Sequence, residues 1–259
     1  MNPLKRRDEK MENPYYNETV EKDSKQRGEY LVGIQAFLER EKARATARRE
    51  QFISPIAYRE NPEKYREEFV RMLGFPLLEK REMPLVEKTF VAQDKNVNIY
   101  RMTFTFFGDL KFYGIYFEQT MQPSAAPFVF GFHGGDGTPE MVSSIHFNSS
   151  NYRHLVRRMT DRGANVFAPQ FLLWSVANYG NKYDRLLIDG KLKQLGGSIT
   201  ALELYFLQGA LDYFLSQEQV NAEKIGVAGL SYGGMYALHL AARPARQLSI
   251  AAFAENQTK

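Results

Sequence analysis

The spacing of apolar residues predicts helices in the first third of the chain. Apolar side chains recur at helical spacing over residues 31–38, and a charged, alanine-rich stretch follows to about residue 50, which predicts one helix from residue 28. A second helix is predicted from Pro62, with Asn61 as its N-cap and Gly74 at its end. No catalytic constellation falls in this part of the chain. We therefore expect residues 1–90 to form an N-terminal helical extension.

The pattern changes near Lys88 to short runs of β-branched, aromatic and other apolar residues, which predict strands. The runs are VNIYRMTFTFF, LKFYGIYFEQT, PFVFGF, NVFAPQF, IGVAGL and LSIAAFA, and the first two are separated by the hairpin signal Gly108-Asp109. Helices are predicted around residues 151–162, 198–215 and 232–242, and a loop-rich stretch over 172–195. Alternation of strands and helices favours a mostly parallel sheet with helices on both faces. Residues 91–259 are thus expected to form an α/β core with about six strands.

Composition and charge narrow the class of protein. Hydrophobic residues make up 44% of the 259 residues, which is enough for a sizeable core. The net charge is +4, but basic and acidic residues are interleaved, as in Glu39-Arg40-Glu41-Lys42, so no nucleic-acid partner is expected. The N-terminus lacks the apolar run of a signal peptide, and no apolar window approaches the roughly 20 residues that cross a bilayer. Together with the absence of cysteine, these features predict a cytoplasmic protein with no membrane partner.

One serine stands between glycines directly after a predicted strand, in Gly229-Leu230-Ser231-Tyr232-Gly233. A serine hydroxyl is a poor nucleophile at neutral pH, so it must be exposed, held near a base and faced by donors that stabilise an oxyanion. A sharp strand-to-helix turn would expose Ser231 and present the N–H of Tyr232 to an oxyanion. The pattern favours this interpretation over a serine that only caps a helix.

A second glycine motif, His133-Gly134-Gly135-Asp136-Gly137, follows the predicted strand PFVFGF. Glycine lets the backbone itself approach a substrate, and a loop of this kind can supply a second oxyanion N–H. Gly134 and Gly135 are the donor candidates, and a plain glycine turn is the alternative. Asp136 is expected to be solvated. Each motif stands at the end of a buried strand, and their order along the chain supports a common site.

On these motifs, residues 97–259 resemble the α/β-hydrolase superfamily and, within it, dienelactone-hydrolase-like and acetyl-xylan-esterase-like proteins. The resemblance rests on FGFHGGDG, NVFAPQFLLW, GGSITALELYFLQGALDYF and KIGVAGLSYGGMYALHLAA. It implies ester hydrolysis through an acyl-enzyme, with no cofactor. It also implies Ser231 as the nucleophile and an oxyanion hole formed by Tyr232 with Gly134 or Gly135.

The sequence departs from the family's pattern at the residue that would accept the proton of Ser231. The family's order is serine, then an acid, then histidine, yet the only acid and the only histidine after Ser231 are Glu255 and His239. His239 is expected roughly 12 Å along the helix axis from the serine, too far for a general base. Glu255 stays open as the triad acid, and His146 and His154 as replacement bases. Since six of the family's eight strands are visible, we expect a truncated chain that lacks the acid and the histidine.

Two further side chains are candidates for the substrate pocket. Trp174, the only tryptophan, follows NVFAPQF at the end of the sheet where ligands bind in open α/β folds, although a packing role fits it as well. His133 belongs to the second glycine motif and either shapes that loop or lines the pocket. Four scattered histidines without cysteine give no metal-ligand spacing, so no metal is expected.

The sequence therefore predicts a serine hydrolase that cleaves small-acyl carboxylic esters, such as acetyl esters or lactones, with a small-molecule ester as its substrate. Two alternatives stay open. An incomplete triad would fit a non-catalytic hydrolase-fold fragment with a binding role. A prolyl-oligopeptidase-like serine peptidase shares the serine motif but usually carries a large propeller domain, for which residues 1–90 are too few. The oligomeric state is not predicted.

Overall fold

The computed structural model describes residues 16, 18–52, 55–121, 124–145, 150–172, 184–242 and 249–253. The chain divides into two compact units, residues 1–62 and 63–259. The first unit contains the helices α1 (Val20–Phe52) and α2 (Pro55–Glu60). Helix α1 begins earlier than the sequence predicts, because the residues before position 28 include Glu, Lys, Gln and Arg, which have good helix propensity.

The second unit is built on one seven-stranded sheet with the order β1-β2-β3-β5-β4-β6-β7. Its strands are β1 (Leu85–Asp94), β2 (Val97–Phe106), β3 (Leu110–Gln119), β4 (Ala126–Phe132), β5 (Asn165–Pro169), β6 (Val220–Leu230) and β7 (Ser249–Phe253). Strands β1, β2, β3 and β5 pair antiparallel in succession, whereas β5, β4, β6 and β7 run parallel. The α/β-hydrolase-type sheet predicted from the sequence is confirmed.

Strand β1 is one strand more than the sequence predicts. Most side chains of LVEKTFVAQD are exposed, so the strand has no buried apolar face that would predict it from the sequence. Backbone pairing with β2 along its length accounts for it instead. The strand also runs across residue 90, where the sequence places the boundary between the extension and the core. That division stays a prediction, and the compact units divide after Pro62.

Helices cover both faces of the sheet. Besides α1 and α2, the helices of the chain's described part are α3 (Pro62–Leu73), α4 (Pro139–Val142), α5 (Leu155–Thr160), α6 (Arg185–Gln194), α7 (Ile199–Leu215) and α8 (Tyr232–Ala241). Phe128 and Phe130 of β4 belong to the buried core that contains residues of α7 and α8. Val129, between them, packs against the core that contains residues of α4 and α5. Since side chains alternate across a strand, the two cores lie on opposite faces.

The helices test two predictions about segment boundaries. Helix α3 has the predicted bounds, and Gly74 follows it at φ 77°. Helix α6, by contrast, lies in the stretch predicted to be loop-rich. Asp184 caps it, because the Leu187 N–H donates to Asp184 Oδ1 at 3.0 Å, while Leu186 and Leu187 are exposed and form no buried stripe. In the part of the chain that the structure describes, no helix has the length and apolar character needed to cross a membrane.

Candidate active site

Ser231 stands at the tight bend between strand β6 and helix α8. Its backbone angles, φ 53° and ψ −116°, lie outside the regions that L-residues ordinarily adopt, which costs of order 1–3 kcal/mol. The residue is exposed, and its side chain makes no capping hydrogen bond to α8. This geometry does not fit a serine that only caps a helix. An exposed hydroxyl on a strained turn fits a nucleophile.

The glycines on either side of Ser231 are required by backbone contacts. A Cβ atom at Gly233 would lie 2.5 Å from the carbonyl oxygen of His133 and 2.8 Å from the Cβ of Phe132. A Cβ atom at Gly229 would collide with the carbonyl oxygen of Gly233. A backbone oxygen cannot rotate out of the way as a side chain can. The glycines therefore let β6, α8 and the loop after β4 pack at backbone distance.

The loop after β4 lies against the serine turn. Strands β4 and β6 are neighbours, with Phe132 opposite Gly229. A Cβ atom at Gly134 would lie 3.9 Å from the Cβ of Ser231 and 3.7 Å from the carbonyl oxygen of Leu230. The structure thus brings together the two glycine motifs that the sequence singles out.

The two candidate donors in this loop have different surroundings. The Gly134 N–H donates to the hydroxyl oxygen of Tyr152 at 2.7 Å, and the Gly137 N–H donates to the Gly134 carbonyl oxygen at 3.1 Å. Gly134 is buried, whereas Gly135 is partly exposed and Asp136, as expected, is exposed. Because the Gly134 N–H already donates to Tyr152, Gly135 stays the donor candidate in this loop.

His133 is buried in the same loop, with none of its surface exposed. Its Nε2 accepts a hydrogen bond from the Phe171 N–H at 3.0 Å, which places the ring proton on Nδ1, 2.6 Å from the Gly134 carbonyl oxygen that it donates to. Burial lowers the pKa of His133 to about 4, so the ring is neutral at pH 7. These contacts leave His133 to shape the loop rather than to line an open pocket. Trp174, the other pocket candidate, lies outside the described residues.

A buried cluster of polar side chains lies beside Tyr232. Glu203 of α7 is 3% exposed and accepts hydrogen bonds from the Leu172 N–H, at 2.5 Å, and from the hydroxyl of Tyr236. Arg185 of α6 lies 4.0 Å from Glu203 and donates to the hydroxyl oxygen of Tyr232. Burial raises the pKa of Glu203 to about 7, against the opposing effects of these hydrogen bonds and of Arg185. The sequence patterns do not predict this cluster, although a glutamate within the apolar run ALELYFL is a signal for it.

Neither of the other two described histidines is hydrogen-bonded to Ser231. His239 lies on α8, and its Nδ1 is 2.7 Å from the Met235 carbonyl oxygen, which confirms the expectation of a helix-face residue. His154 precedes α5, and its Nδ1 is 2.9 Å from Ser144 Oγ. A general base must lie within about 3 Å of the hydroxyl that it activates.

Two further triad candidates, His146 and Glu255, lie outside the described residues. Within the described ranges, no three His, Asp or Glu side chains come together in a group that could hold a metal ion.

A seven-stranded sheet with helices on both faces, a strained serine after β6 and a glycine loop after β4 define an α/β-hydrolase fold. A sequence profile described as acetyl xylan esterase (AXE1) matches residues 67–254, which is more than half of the chain. The chain therefore belongs to the acetyl xylan esterase family. Among curated protein sequences, none matches this chain.

One solved structure shows the same fold, and two others match this chain with lower TM-scores. A protein of Bacteroides fragilis NCTC 9343, provisionally assigned as an acetyl xylan esterase, superposes with a TM-score of 0.60 at 16% identity, over 73% of this chain and 51% of its own. Acetyl xylan esterase 1 from Thermoanaerobacterium sp. JW/SL YS485 has a TM-score of 0.48 at 16% identity, over 70% and 54% of the two chains. An acetyl xylan esterase from Paenibacillus sp. R4 has 0.47 at 19%, over 70% and 55%. The chain thus spans about half the length of these structures.

Proposed function

We propose that this protein hydrolyses carboxylic esters of small acyl groups through an acyl-enzyme on Ser231. The proposal is carried by Ser231, which is exposed on a strained turn and makes no capping hydrogen bond with its side chain. The glycine loop after β4 packs against this turn. Membership of the acetyl xylan esterase family supports acetyl as the acyl group and an acetylated sugar as the alcohol.

The proposed reaction has two halves. Ser231 Oγ attacks the ester carbonyl carbon, and the carbonyl π electrons move to oxygen, where the N–H groups of Tyr232 and Gly135 donate to the oxyanion. Collapse of this intermediate breaks the bond to the alcohol, which leaves with the proton taken from Ser231. Water then attacks the acyl-enzyme, releases the carboxylic acid and restores the serine hydroxyl.

The proton needs an acceptor beside Ser231. His133 is buried with both ring nitrogens engaged, and His154 and His239 bond to other groups. The proposal therefore places the general base outside the described residues, where His146 is one candidate. Loss of such a base leaves only the weak residual catalysis of the oxyanion hole and of substrate binding.

Labelling with a fluorophosphonate tests whether the serine is activated. We expect the wild-type protein to be labelled at Ser231 and Ser231→Ala to lose the label. Ser216→Ala is the matched control, because Ser216 is also an exposed serine at a helix end but has ordinary backbone angles, φ −84° and ψ −6°. Labelling that persists in Ser231→Ala would show that another residue reacts and would contradict the assignment of Ser231. A wild-type protein that is never labelled would contradict the proposal and favour a non-catalytic role.

Ester substrates of increasing acyl length test the small acyl group. We expect kcat/KM to be highest for an acetyl ester and to fall for butanoyl and octanoyl esters of the same alcohol. A preference for the octanoyl ester would contradict the small-acyl assignment while leaving Ser231 as the nucleophile. The cytoplasmic location and the absence of nucleic-acid and membrane partners stay predictions.

A further inference from the structure

Helix α7 buries a carboxylate close to the serine turn. Glu203 is 3% exposed, and its neighbour Leu204 on the helix is fully buried. An ionised carboxylate removed from water costs several kcal/mol unless it is paired and hydrogen-bonded. Replacing a buried ion pair with apolar residues is often neutral or stabilising, so the need for a stable core does not explain why this helix carries a glutamate.

Both oxygens of Glu203 are occupied by donors from other elements. Oε1 accepts from the Leu172 N–H at 2.5 Å, just beyond the end of strand β5. Oε2 accepts from the hydroxyl groups of Tyr236 and Tyr232, the latter at 3.3 Å. Glu203 thereby connects α7 to the residue that directly follows Ser231.

Arg185 contacts the same two residues as Glu203, namely Leu172 and Tyr232. Its Nη1 donates to the Leu172 carbonyl oxygen at 2.8 Å, and its Nη2 donates to the Tyr232 hydroxyl. The guanidinium carbon lies 4.9 Å from the centre of the Tyr232 ring. Glu203 and Arg185 therefore hold the N–H and the carbonyl of Leu172 and share the phenol of Tyr232.

We propose that Glu203 and Arg185 are positioning residues for the serine site: by holding the side chain of Tyr232, they fix the direction of its backbone N–H and of Ser231. Neither residue touches the reacting atoms in this assignment. Tyr232 is the link, because its N–H is a proposed oxyanion donor while its ring is anchored in the cluster. The inference rests on the proposed function, since it supposes that the direction of this N–H matters for ester hydrolysis.

Two variants and one control test the proposal. Glu203→Gln removes the charge and keeps the size of the side chain. Tyr232→Phe removes only the hydroxyl that both positioning residues hold, keeps the backbone N–H, and serves if Glu203→Gln does not fold. Asp212→Asn is the matched control on the same helix: Asp212 pairs with Arg81 at 3.0 Å, but its side chain is 40% exposed and it is not part of the cluster.

Three quantities are measured on each folded variant: kcat and KM for an acetyl ester, the rate of fluorophosphonate labelling, and hydrogen exchange of the amides from Ser231 to Tyr236. A displaced catalytic group costs up to about 100-fold, so we expect kcat and the labelling rate to fall about 10- to 100-fold in Glu203→Gln and Tyr232→Phe. KM should change less than about threefold, because substrate contacts are kept. Exchange in this segment should be faster in both variants, and Asp212→Asn should match the wild type.

The outcomes separate this inference from the proposed function. If the wild-type protein hydrolyses the ester and both variants, folded, keep its kcat, labelling rate and exchange, the positioning role is overturned and the proposed function stands. Equal losses in Asp212→Asn would also overturn it, since they would show a general effect of α7. If the wild-type protein is neither active nor labelled, the proposed function fails, and so does a role in catalysis. Exchange then decides whether Glu203 holds the turn at all.

Discussion

Replacing Gly233 by alanine tests the backbone contacts that hold the serine turn. The added Cβ would lie 2.5 Å from the carbonyl oxygen of His133 and 2.8 Å from the Cβ of Phe132, both closer than relaxed contacts. Gly233 lies in helix α8 and does not have a positive φ, so the cost comes from these contacts and not from backbone strain. Overpacking of this kind costs about 1–3 kcal/mol of stability, and the higher helix propensity of alanine offsets about 0.5–1 kcal/mol of that cost. We therefore expect Gly233→Ala to lower the free energy of unfolding by about 1–2 kcal/mol.

The matched control is Gly190→Ala in helix α6, where an added Cβ meets no atom within 4 Å. Alanine is favoured over glycine inside a helix by about 0.5–1 kcal/mol, so this variant should be slightly more stable than the wild type. Urea unfolding followed by circular dichroism and linear extrapolation measures both changes. Equal or same-signed shifts for the two variants would refute the close packing of β6, α8 and the loop after β4.

Three further predictions follow from the buried polar groups. Tyr152→Phe leaves the N–H of Gly134 without its acceptor and should lower the free energy of unfolding, measured in urea, by about 1–3 kcal/mol. The control Tyr113→Phe removes a more exposed hydroxyl and should cost less than about 1 kcal/mol, so equal costs for the two variants would contradict the prediction. The pKa of His133 is lowered to about 4 in the folded protein, whereas the unfolded chain binds this proton near pH 6.5, so the free energy of unfolding should fall as the pH drops from 6.5 towards 4. An NMR titration in which the His133 ring of the folded protein protonates near pH 6.5 would contradict this prediction. The pKa of Glu203 is raised to about 7 in the folded protein, whereas the unfolded chain releases this proton near pH 4.5, so the free energy of unfolding should fall as the pH rises from 4.5 to 7, by up to about 3 kcal/mol relative to Glu203→Gln. If the free energies of unfolding of the two proteins change in parallel with pH, this prediction is wrong.

The parts of the fold that the sequence predicts are those set by local pattern. An apolar run, a glycine–serine turn and an amphipathic run specify β6, Ser231 and α8 within a few residues of one another. Strand β1 and helix α6 are not predicted from the sequence, because neither buries a regular apolar stripe. Strand β1 forms by pairing with β2, and helix α6 exposes Leu186 and Leu187.

The contacts within the candidate site were less predictable, because they join residues distant in the sequence. The approach of Gly134 to Ser231 follows from the adjacency of β4 and β6, whereas the order of the two glycine motifs predicts only that they share a site. The partners of Glu203 do not follow: Arg185 lies in a stretch predicted as loop, and Tyr236 lies two elements further on. A buried glutamate in an apolar helix signals that partners exist, but only the packing of α6, α7 and α8 identifies them.

Trapping the acyl-enzyme is the most direct test of the role of Ser231. The protein is mixed with an activated acetyl ester, quenched in acid during turnover, digested and mapped by mass spectrometry. We predict an acetyl group on Ser231, and none at that position in Ser231→Ala, which should also lose hydrolysis. Hydrolysis that continues in Ser231→Ala, or an acetyl group carried on another residue during turnover, would contradict the account.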